Sequence, residues 1–424
     1  MGMHVIQSGD SLWALSQKYN VSIQSIIKAN GLENAPGIIP GLALYIPEDG
    51  AVTRSYIVKP GDTLWRIAQR FQTSVDAILS ANPGIRPEWL YIGQKINIPT
   101  TVKKSMQTLG FIVPYSPEAF LPIFRQTAKN LTFIAISAYS LTKEGYAYAE
   151  LEDTAIVAES KRLNVTPLLM IRNLADGEFS AELIGGVLKN PVYRRNLILS
   201  LMNFVKQKGY GGVSLDFEFI PPPRRQDYSL FLRELKSAMG SLILHVNVHA
   251  KTEDIPTNRI IGAYDYKAIG SAADIMAVMT MDYGYPTGPP NPVAPVWWVE
   301  EVIKYSVTQI NPEKLQIALP LYGYDWRTAD NVTRAYSMQA IQDTALSAGA
   351  IIQYDRYAAS PWFKYWRGAE EHLVWFEDIR SITEKYKLID QYNLLGMTYW
   401  QLSLPFPQNW AFADKNFTIV KPRT

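Results

Sequence analysis

The chain has 424 residues, 47% of them hydrophobic, and its 41 Lys and Arg nearly balance its 39 Asp and Glu. The formal charge of +2 gives no electrostatic reason to expect nucleic acid or an anionic membrane surface as a partner. The absence of cysteine excludes disulfides and thiolate chemistry, and four histidines give little basis for a metal site, so no metal and no cofactor is expected. No apolar run is long enough for a membrane span, and the N-terminus lacks the layout of a secretory signal, so neither is predicted.

Two copies of one pattern fill the first hundred residues. HVIQSGDSLWALSQKYNVSIQSIIKAN recurs as YIVKPGDTLWRIAQRFQTSVDAILSAN at a constant offset of 52 residues. Each copy combines a short strand, a Gly-Asp turn, two helices with hydroxyl residues at their starts, and a closing strand that ends in Ile-Pro. The repeat predicts two β-α-α-β modules, at residues 3–48 and 55–100, each near the lower size limit for an independent core. The polar segments EDGAVTRS and TTVKKSMQTL beside the second copy are predicted to be linkers.

The repeated unit resembles the LysM domain. The resemblance covers roughly residues 4–100 and rests on the GD(S/T)LW turn, the central Asn and the Ile-Pro ending, which coincide in both copies. It implies binding of glycans that contain N-acetylglucosamine, chiefly peptidoglycan and chitin, and the alternative is a pair of spacer modules. The residues that the resemblance marks for glycan binding are Gly9, Asp10, Asn30, Gly61, Asp62 and Asn82.

The pattern changes at about residue 108. Near-continuous apolar strands that alternate with helical stretches indicate a parallel sheet covered on both faces. Eight such repeats within residues 108–424 predict an α/β fold, the (β/α)8 TIM barrel, with a small α+β insertion after strand seven at about 326–375. A doubly wound open sheet is the alternative, although no GxGxxG turn follows the first strand. The eight apolar runs are FIVPY, LTFIAISAY, VTPLLMIRN, GGVSLDFEF, LILHVNVHA, ADIMAVMTMDY, LQIALPLYGY and NLLGMTYWQL.

The stretch YGGVSLDFE, residues 210–218, places two carboxylates in an apolar strand. Because side chains alternate along a strand, Asp216 and Glu218 share one face, at the strand end where barrel enzymes carry catalytic groups. Burial together raises the proton affinity of one carboxylate, and Glu218, nearer the strand end, is the predicted proton donor. Residues two apart approach a sugar from the same side, so Asp216 is poorly placed as a nucleophile. Either water or the substrate's own acetamido group must attack.

This stretch resembles the signature DGxDxDxE of glycoside hydrolase family 18, with the last Asp and Glu at Asp216 and Glu218. The resemblance covers roughly residues 108–420 and includes MTMDY, LPLYGYDW and TYWQL. It implies that Glu218 is the acid/base and that Asp216 holds the substrate's acetamide. The acetamide oxygen then attacks the anomeric carbon, and configuration is retained. Gly211 and Ser214 replace the first two acidic residues of the signature.

Further site residues follow from the same resemblance. Met281 stands where the family has a Tyr whose hydroxyl donates to the acetamide, and a thioether cannot make that bond. Tyr283 is a candidate substitute, Asp282 a candidate partner of the substrate or of Glu218, and Trp400 the expected floor under the scissile sugar. His245 and His249, which share a strand face, are expected to be interior residues. The predicted substrate-binding set is Tyr115, Asn173, Met281, Asp282, Tyr283, Tyr322 and Trp400.

The combination of two LysM modules with this catalytic unit resembles the spore cortex-lytic N-acetylglucosaminidases of bacteria. It implies a hydrolase that cuts cortex peptidoglycan after N-acetylglucosamine and acts at the spore, near the boundary of coat and cortex. The LysM modules would hold it on its polymeric substrate. One alternative is a chitinase. The other is a non-catalytic, chitinase-like glycan-binding protein, which Met281 and Ser214 favour and the presence of Glu218 opposes.

Overall fold

Two small modules precede a closed barrel in the computed structural model, which describes residues 2–48 and 50–422. Each module has the predicted β-α-α-β order, and its two strands pair antiparallel. The first module contains β1 (Gly2–Val5), α1 (Leu12–Tyr19), α2 (Ile23–Asn30) and β2 (Ala43–Ile46). The second contains β3 (Val52–Ile57), α3 (Leu64–Arg70), α4 (Val75–Ala81) and β4 (Lys95–Thr100), with a 3₁₀ turn at Pro87–Trp89.

Side-chain hydroxyls start all four helices of the modules. Each hydroxyl accepts a hydrogen bond from the backbone N–H three residues further on, at 3.1 to 3.2 Å. These bonds satisfy donors that the first turn of a helix leaves free, which fixes where each helix begins. The hydroxyls belong to Ser11, Ser22, Thr63 and Ser74.

Both segments predicted to be linkers carry strand residues, so that prediction is wrong. β3 begins inside the first segment, and β5 (Lys104–Ile112), the first barrel strand, lies mostly in the second. Polar side chains hide this strand in the sequence because their partners come from distant parts of the chain. The Thr108 hydroxyl donates to the carbonyl of Asn130 at 2.6 Å, and the Lys104 ammonium donates to the Asn393 side chain at 2.8 Å.

The first half of the barrel alternates strands and helices after β5. Two of its connections carry additional short strands, and a 3₁₀ turn at Ala128–Asn130 follows the first helix. The elements are α5 (Pro117–Thr127), β6 (Phe133–Leu141), β7 (Ala147–Ala149), α6 (Thr154–Arg162), β8 (Thr166–Arg172), β9 (Leu174–Ala175), β10 (Glu178–Phe179), α7 (Ala181–Lys189), α8 (Pro191–Lys208) and β11 (Gly212–Asp216).

The second half continues the alternation and contains the insertion. Short 3₁₀ turns occupy Pro222–Arg224 and Pro312–Lys314. No helix in residues 2–48 and 50–422 is both long enough and apolar enough to cross a membrane. The elements are α9 (Arg225–Met239), β12 (Ile243–His249), α10 (Tyr266–Ala272), β13 (Ile275–Met279), α11 (Val296–Gln309), β14 (Leu315–Pro320), β15 (Tyr322–Arg327), β16 (Thr333–Ser337), α12 (Met338–Ala348), β17 (Gln353–Asp355), β18 (Ser360–Arg367), β19 (Glu370–Trp375), α13 (Ile379–Gln391), β20 (Gly396–Trp400), α14 (Pro407–Asn416) and β21 (Phe417–Ile419).

Eight parallel strands close the barrel in the order β5-β6-β8-β11-β12-β13-β14-β20, and β20 pairs back to β5. Each of the eight apolar runs contributes to one of these strands, so the predicted (β/α)8 fold is confirmed. The parallel register sets Asp216 at the end of β11 directly beside Arg172 at the end of β8. Parallel strands bring all their carboxyl ends to one mouth of the barrel, and the site forms there.

The insertion between β14 and β20 is a five-stranded antiparallel sheet with α12 packed against it. Its first strand begins at Tyr322, directly after β14, rather than at about residue 326. Alternation along β15 gives it two faces. Tyr322, Tyr324 and Trp326 lie on one face and form an aromatic cluster that reaches the barrel mouth, whereas Asp325 lies on the other.

The first module shares its hydrophobic core with the barrel. Leu15, Ile26 and Leu44 belong to the same buried cluster as the interior between the barrel and its helices. A polar contact fixes the junction: the Gln408 amide of α14 donates to the Asn30 side chain at 2.9 Å and to the Ala43 carbonyl at 2.8 Å. This module is therefore a built-in part of the catalytic unit.

The second module has its own hydrophobic core and contacts the barrel through polar groups. The Arg54 guanidinium donates three hydrogen bonds to the Asp390 carboxylate at 2.6 to 2.9 Å, and the Ser55 N–H donates to the same group at 2.9 Å. The Lys95 ammonium reaches Glu300 at 2.7 Å. Paired, multidentate bonds of this kind fix orientation as well as contact.

Replacing Asn30 by Ala is expected to destabilise the protein more than replacing Asn82 by Ala. Both amides brace their own module, but Asn30 is 1% exposed and also bonds to the barrel. Buried groups left without partners cost about 1–3 kcal/mol. Urea unfolding followed by tryptophan fluorescence measures both variants, and equal losses would contradict a docking role for Asn30.

Candidate active site

A cavity of about 180 Å³ opens at the mouth of the barrel. Arg172, Asp216, Met279 and Trp400, which line it, are the last residues of β8, β11, β13 and β20. The space exists because the inward positions of β13 and β14 carry alanines at this level. Aromatic side chains and two methionines make much of the lining apolar, and three carboxylates add polar groups to it.

Asp216 and Glu218 both face this cavity, as the alternation in the sequence predicts. Asp216 ends β11, and Glu218 follows two residues later. Phe217 between them is 1% exposed and packs outward against the rings of Tyr228 and Phe231. The apolar anchor on one face thus holds the two acids on the other.

The Asp216 side chain is buried, and its electrostatic surroundings favour the protonated form. Burial raises the pKa of Asp216 well above its usual value, and the neighbouring charge of Glu218 raises it further. The positive charge of Arg172 and the amide of Asn247 act in the opposite direction. Among the described residues, no group of three or more His, Asp or Glu side chains is arranged to hold a metal.

Asn173 clamps the backbone at the predicted acid. Its side-chain oxygen accepts from the Glu218 N–H at 2.8 Å, and its amide donates to the Glu218 carbonyl at 3.0 Å. The next residue, Phe219, has a φ of 55°, a conformation that costs a bulky residue energy and persists only where surrounding contacts hold it. Asn173 is fully buried, so it positions Glu218 and does not reach a substrate, which corrects its predicted role.

His249 at the end of β12 lies against the Glu218 carboxylate. Its Nε2 is 3.2 Å from Oε2, although the N–H direction is not aligned for a hydrogen bond, and no other residue within 2–48 and 50–422 gives Nε2 a hydrogen bond. The ring packs between Phe219 and Tyr264, with each centroid 5.6 Å away. The expectation that His249 is simply an interior residue is therefore incomplete.

Asp282 forms the opposite wall of the cavity, just after β13. Its carboxylate accepts hydrogen bonds from the Tyr322 and Tyr324 hydroxyls at 2.6 and 2.8 Å. Withdrawal from water raises the pKa of Asp282, the two phenols oppose the rise, and the charge of Glu218 adds to it. Its φ of 59° is one that Asp tolerates better than most residues.

A neutral pair occupies the place of the missing acidic neighbour of Asp216. The Ser214 hydroxyl lies 2.8 Å from Nδ1 of His245, and both residues are fully buried. Burial lowers the pKa of His245 to about 3, so this ring is uncharged at neutral pH. His245 is thus an interior residue, and Asp216 has a serine and a neutral imidazole below it instead of a second carboxylate.

The structure brings together part of the predicted substrate-binding set. Met281, Tyr322 and Trp400 line the cavity with the two acids. Tyr115 is 77% exposed and is not part of the cavity wall. Tyr283 packs against Trp297 and Trp298 outside that wall, so its hydroxyl does not take the place that Met281 leaves without a donor.

Several cavity residues escaped the sequence analysis. Arg172, Asn247 and Phe179 line the cavity, and Tyr324 supports Asp282. Arg172 and His249 end the strands on either side of β11. The sequence signal that could have identified these residues was therefore their position at the carboxyl end of a barrel strand. Using that signal requires that the end of each strand be predicted correctly.

The Gly-Asp turns of the two modules are built alike. Gly9 and Gly61 have φ of 92° and 79°, which favours glycine. Asp10 and Asp62 each accept from the backbone N–H three residues earlier, at 2.7 and 2.8 Å. These four residues shape the turns that the repeat predicts, and their contact with a glycan stays a prediction.

Asn30 and Asn82 brace the modules from inside. Each side chain joins its second helix to the closing strand, and Asn30 is buried against the barrel. Asn30 is therefore out of reach of a glycan, contrary to the prediction, because its oxygen and amide are already bonded within the protein. The aromatic surface of the modules lies elsewhere, at rings that are about two-thirds exposed: Trp13, Trp65, Trp89 and Tyr91.

A closed (β/α)8 barrel with a buried acid pair at its mouth has the architecture of a barrel glycoside hydrolase. The sequence model of the glycosyl hydrolases family 18 matches residues 120–404, and the chain belongs to this family. The LysM domain model matches residues 4–47 and 56–99. Both resemblances identified in the sequence are confirmed, and the protein is a glycoside hydrolase.

Similar proteins share both the modules and the barrel. The YdhD protein of Bacillus subtilis (strain 168) is 36% identical over 428 residues, which cover 99% of this chain and 100% of that protein. The cortical fragment-lytic enzyme of Bacillus anthracis is 31% identical over 98% of each chain. The crystal structure of the spore cortex-lytic enzyme SleL of Bacillus cereus has a TM-score of 0.86 at 30% identity, over 99% of each chain.

Replacing Asp216 by Asn is expected to stabilise the folded protein at pH 7. The folded state raises the pKa of Asp216, so the wild type loses stability as pH rises from about 3.9, the usual pKa, through the folded value. An amide carries no charge and avoids this loss, which is on the order of 1 kcal/mol per pKa unit. Melting temperatures measured from pH 3 to 8 should separate above pH 4, and a variant less stable at every pH would contradict this electrostatic picture.

Proposed function

We propose that this protein hydrolyses spore cortex peptidoglycan or its fragments at the β-1,4 bond after N-acetylglucosamine. The observation that carries the proposal is the Asp216 and Glu218 pair in the barrel-mouth cavity. The relatives that match over both modules and the barrel include cortical fragment-lytic and spore cortex-lytic enzymes. Action at the spore, near the boundary of coat and cortex, is part of the proposal.

Glu218 acts as the proton donor in this proposal. Asn173 bonds to both the N–H and the carbonyl of Glu218, so the backbone from which the carboxyl group projects is fixed at the cavity wall. As the bond from the anomeric carbon to the glycosidic oxygen breaks, the Glu218 proton passes to that oxygen. Glu218 is then a carboxylate and can later accept a proton from water.

The attacking group is the acetamide of the substrate. Its carbonyl oxygen bonds to the anomeric carbon as the leaving group departs, and Asp216, two residues before Glu218, accepts a hydrogen bond from the acetamide N–H. Water then attacks the same carbon, gives its proton to Glu218 and reopens the acetamide, so configuration is retained. The pocket for this ring has Trp400 on one side and the Tyr322 and Asp282 pair on another.

The second LysM module is the better glycan platform of the two. Trp65, Trp89 and Tyr91 are about two-thirds exposed on it, and the Arg86 guanidinium lies 4.7 Å from the centre of the Trp89 ring, which supports the ring from one side. Holding the enzyme on a polymer raises the local concentration of cleavable bonds. The hydrogen bonds between Arg54 and Asp390 hold the second module against the barrel, so its exposed aromatic rings keep a fixed position relative to the cavity.

Replacing Glu218 by Gln is expected to lower the release of reducing N-acetylglucosamine ends from cortex fragments by roughly 10²-fold or more, since the proton donor is lost. Mass spectrometry of the products identifies the bond cut. Glu301→Gln, on the solvent face of α11, is the matched control and should keep full activity.

Unchanged activity of the Glu218→Gln variant would contradict the assignment. Parallel digestion of chitin oligomers distinguishes a chitinase from a peptidoglycan hydrolase. A wild-type protein that binds both glycans and cleaves neither would support the non-catalytic alternative, which the Met281 position favours.

Replacing Trp89 by Ala is expected to weaken retention on insoluble cortex peptidoglycan roughly three- to tenfold, because an exposed stacking surface is lost. Turnover of short soluble fragments should stay at the wild-type level. Trp366→Ala, at an equally exposed tryptophan of the insertion, is the control. Co-sedimentation with peptidoglycan measures retention, and equal losses in the two variants would contradict a specific role for the module.

A further inference from the structure

His249 stands where a single side chain can control which oxygen of Glu218 carries the proton. Its Nε2 is 3.2 Å from Oε2, and the two side chains are 20% and 17% exposed. A carboxylic acid has one proton and two oxygens, so a donor directed at one oxygen favours the proton on the other. This contact is separate from the two hydrogen bonds of Asn173. Those bonds fix the main chain of Glu218 but do not determine which carboxyl oxygen carries the proton.

The ring of His249 packs between two aromatic rings, and its Nε2 faces Glu218. Phe219 and Tyr264 pack against it, and the Tyr266 hydroxyl donates to the His249 carbonyl at 2.6 Å. The Tyr264 hydroxyl donates to the Phe217 carbonyl at 2.7 Å, which ties the same ring cluster to the strand end that carries the acid. The imidazole and the carboxyl group are therefore fixed by one connected set of contacts.

We propose that His249 is a positioning residue for the acid/base, an inference that rests on the proposed function. With its proton on Nε2, the ring donates to Oε2 of Glu218 and leaves Oε1 to deliver the acidic proton to the glycosidic oxygen. The same N–H stabilises the carboxylate after that proton has left. No further reactant is needed, because the proton gained by the leaving group comes from Glu218 and is replaced by one from water.

The 3.2 Å contact between Nε2 of His249 and Oε2 of Glu218 is poorly aligned for a hydrogen bond. Catalytic hydrogen bonds are often long or poorly directed without substrate and tighten when the complex forms. The other ionisable groups around the pair are Asp216 on β11, Asp282 after β13, Arg172 on β8 and Tyr264 before α10. Asp216 and Asp282 are carboxyl groups, and the Tyr264 hydroxyl already donates to the Phe217 carbonyl. Among these ionisable groups, His249 is the one that lies against the Glu218 carboxylate from the side of β12.

Two replacements separate positioning from simple packing. His249→Leu keeps a side chain of similar reach without an N–H, and His249→Gln keeps an amide N–H near the place of Nε2. We expect His249→Leu to lower kcat on cortex fragments roughly tenfold with little change in KM. The alkaline limb of the pH profile should move to higher pH, since the carboxylate loses a stabilising donor, and His249→Gln should restore most of kcat and the wild-type profile.

Equal losses of kcat in both variants with an unmoved pH profile would overturn the proposal and leave His249 a packing residue. Unchanged kinetics in His249→Leu would overturn it as well. A wild-type protein that releases no N-acetylglucosamine ends would instead be a failure of the proposed function. Circular dichroism and melting temperatures establish that each variant is folded.

An NMR measurement tests the contact without substrate and without a His249 variant. The chain has four histidines, so their ring signals can be resolved and assigned. Glu218→Gln replaces the carboxylate that faces Nε2 of His249, and the ring nitrogen signals of His249 at pH 7 should shift while those of His372 in the insertion stay. Unchanged His249 ring signals would overturn the proposed interaction.

Discussion

Two carboxylates side by side in a partly enclosed cavity are the constraint around which the rest of this protein is arranged. Burial and mutual repulsion raise the pKa of Asp216, so the folded chain carries an electrostatic cost at neutral pH. The neighbouring strands supply the opposing groups, with Arg172 on one side and Asn247 on the other. Asn173 bonds to the Glu218 backbone and His249 lies against the Glu218 carboxylate, which gives the two acids different surroundings.

The departures from the family signature form a consistent local arrangement. Ser214 and His245 make a neutral, fully buried pair where a further carboxylate would repel Asp216. On the opposite wall, Asp282 is held by two tyrosine hydroxyls of the insertion, while Met281 adds apolar surface. The insertion is therefore part of the site, because its first strand supplies the groups that orient Asp282.

The two modules resemble each other in sequence and differ in how they join the barrel. Asn30 and Asn82 occupy equivalent positions and brace their modules in the same way, yet only Asn30 is buried against α14 and bonded to Gln408. The first module is continuous with the barrel core, whereas the second is attached by Arg54 and Asp390 and keeps an exposed aromatic surface. Duplicated sequence thus serves packing in one copy and leaves the other open for a polymeric ligand.

The sequence by itself determined the repeat, the eight barrel strands and the pair of acids, because each depends on local periodicity or on residues close together in the chain. It misjudged the first part of β5 as a linker and Asn30 and Asn173 as ligand contacts, since their partners lie far away in sequence and appear only when the strands pair. Arg172, His249 and Tyr324 became site residues for the same reason. Which side chains surround Glu218 was decided by the closure of the barrel, which brings the ends of distant strands to one mouth.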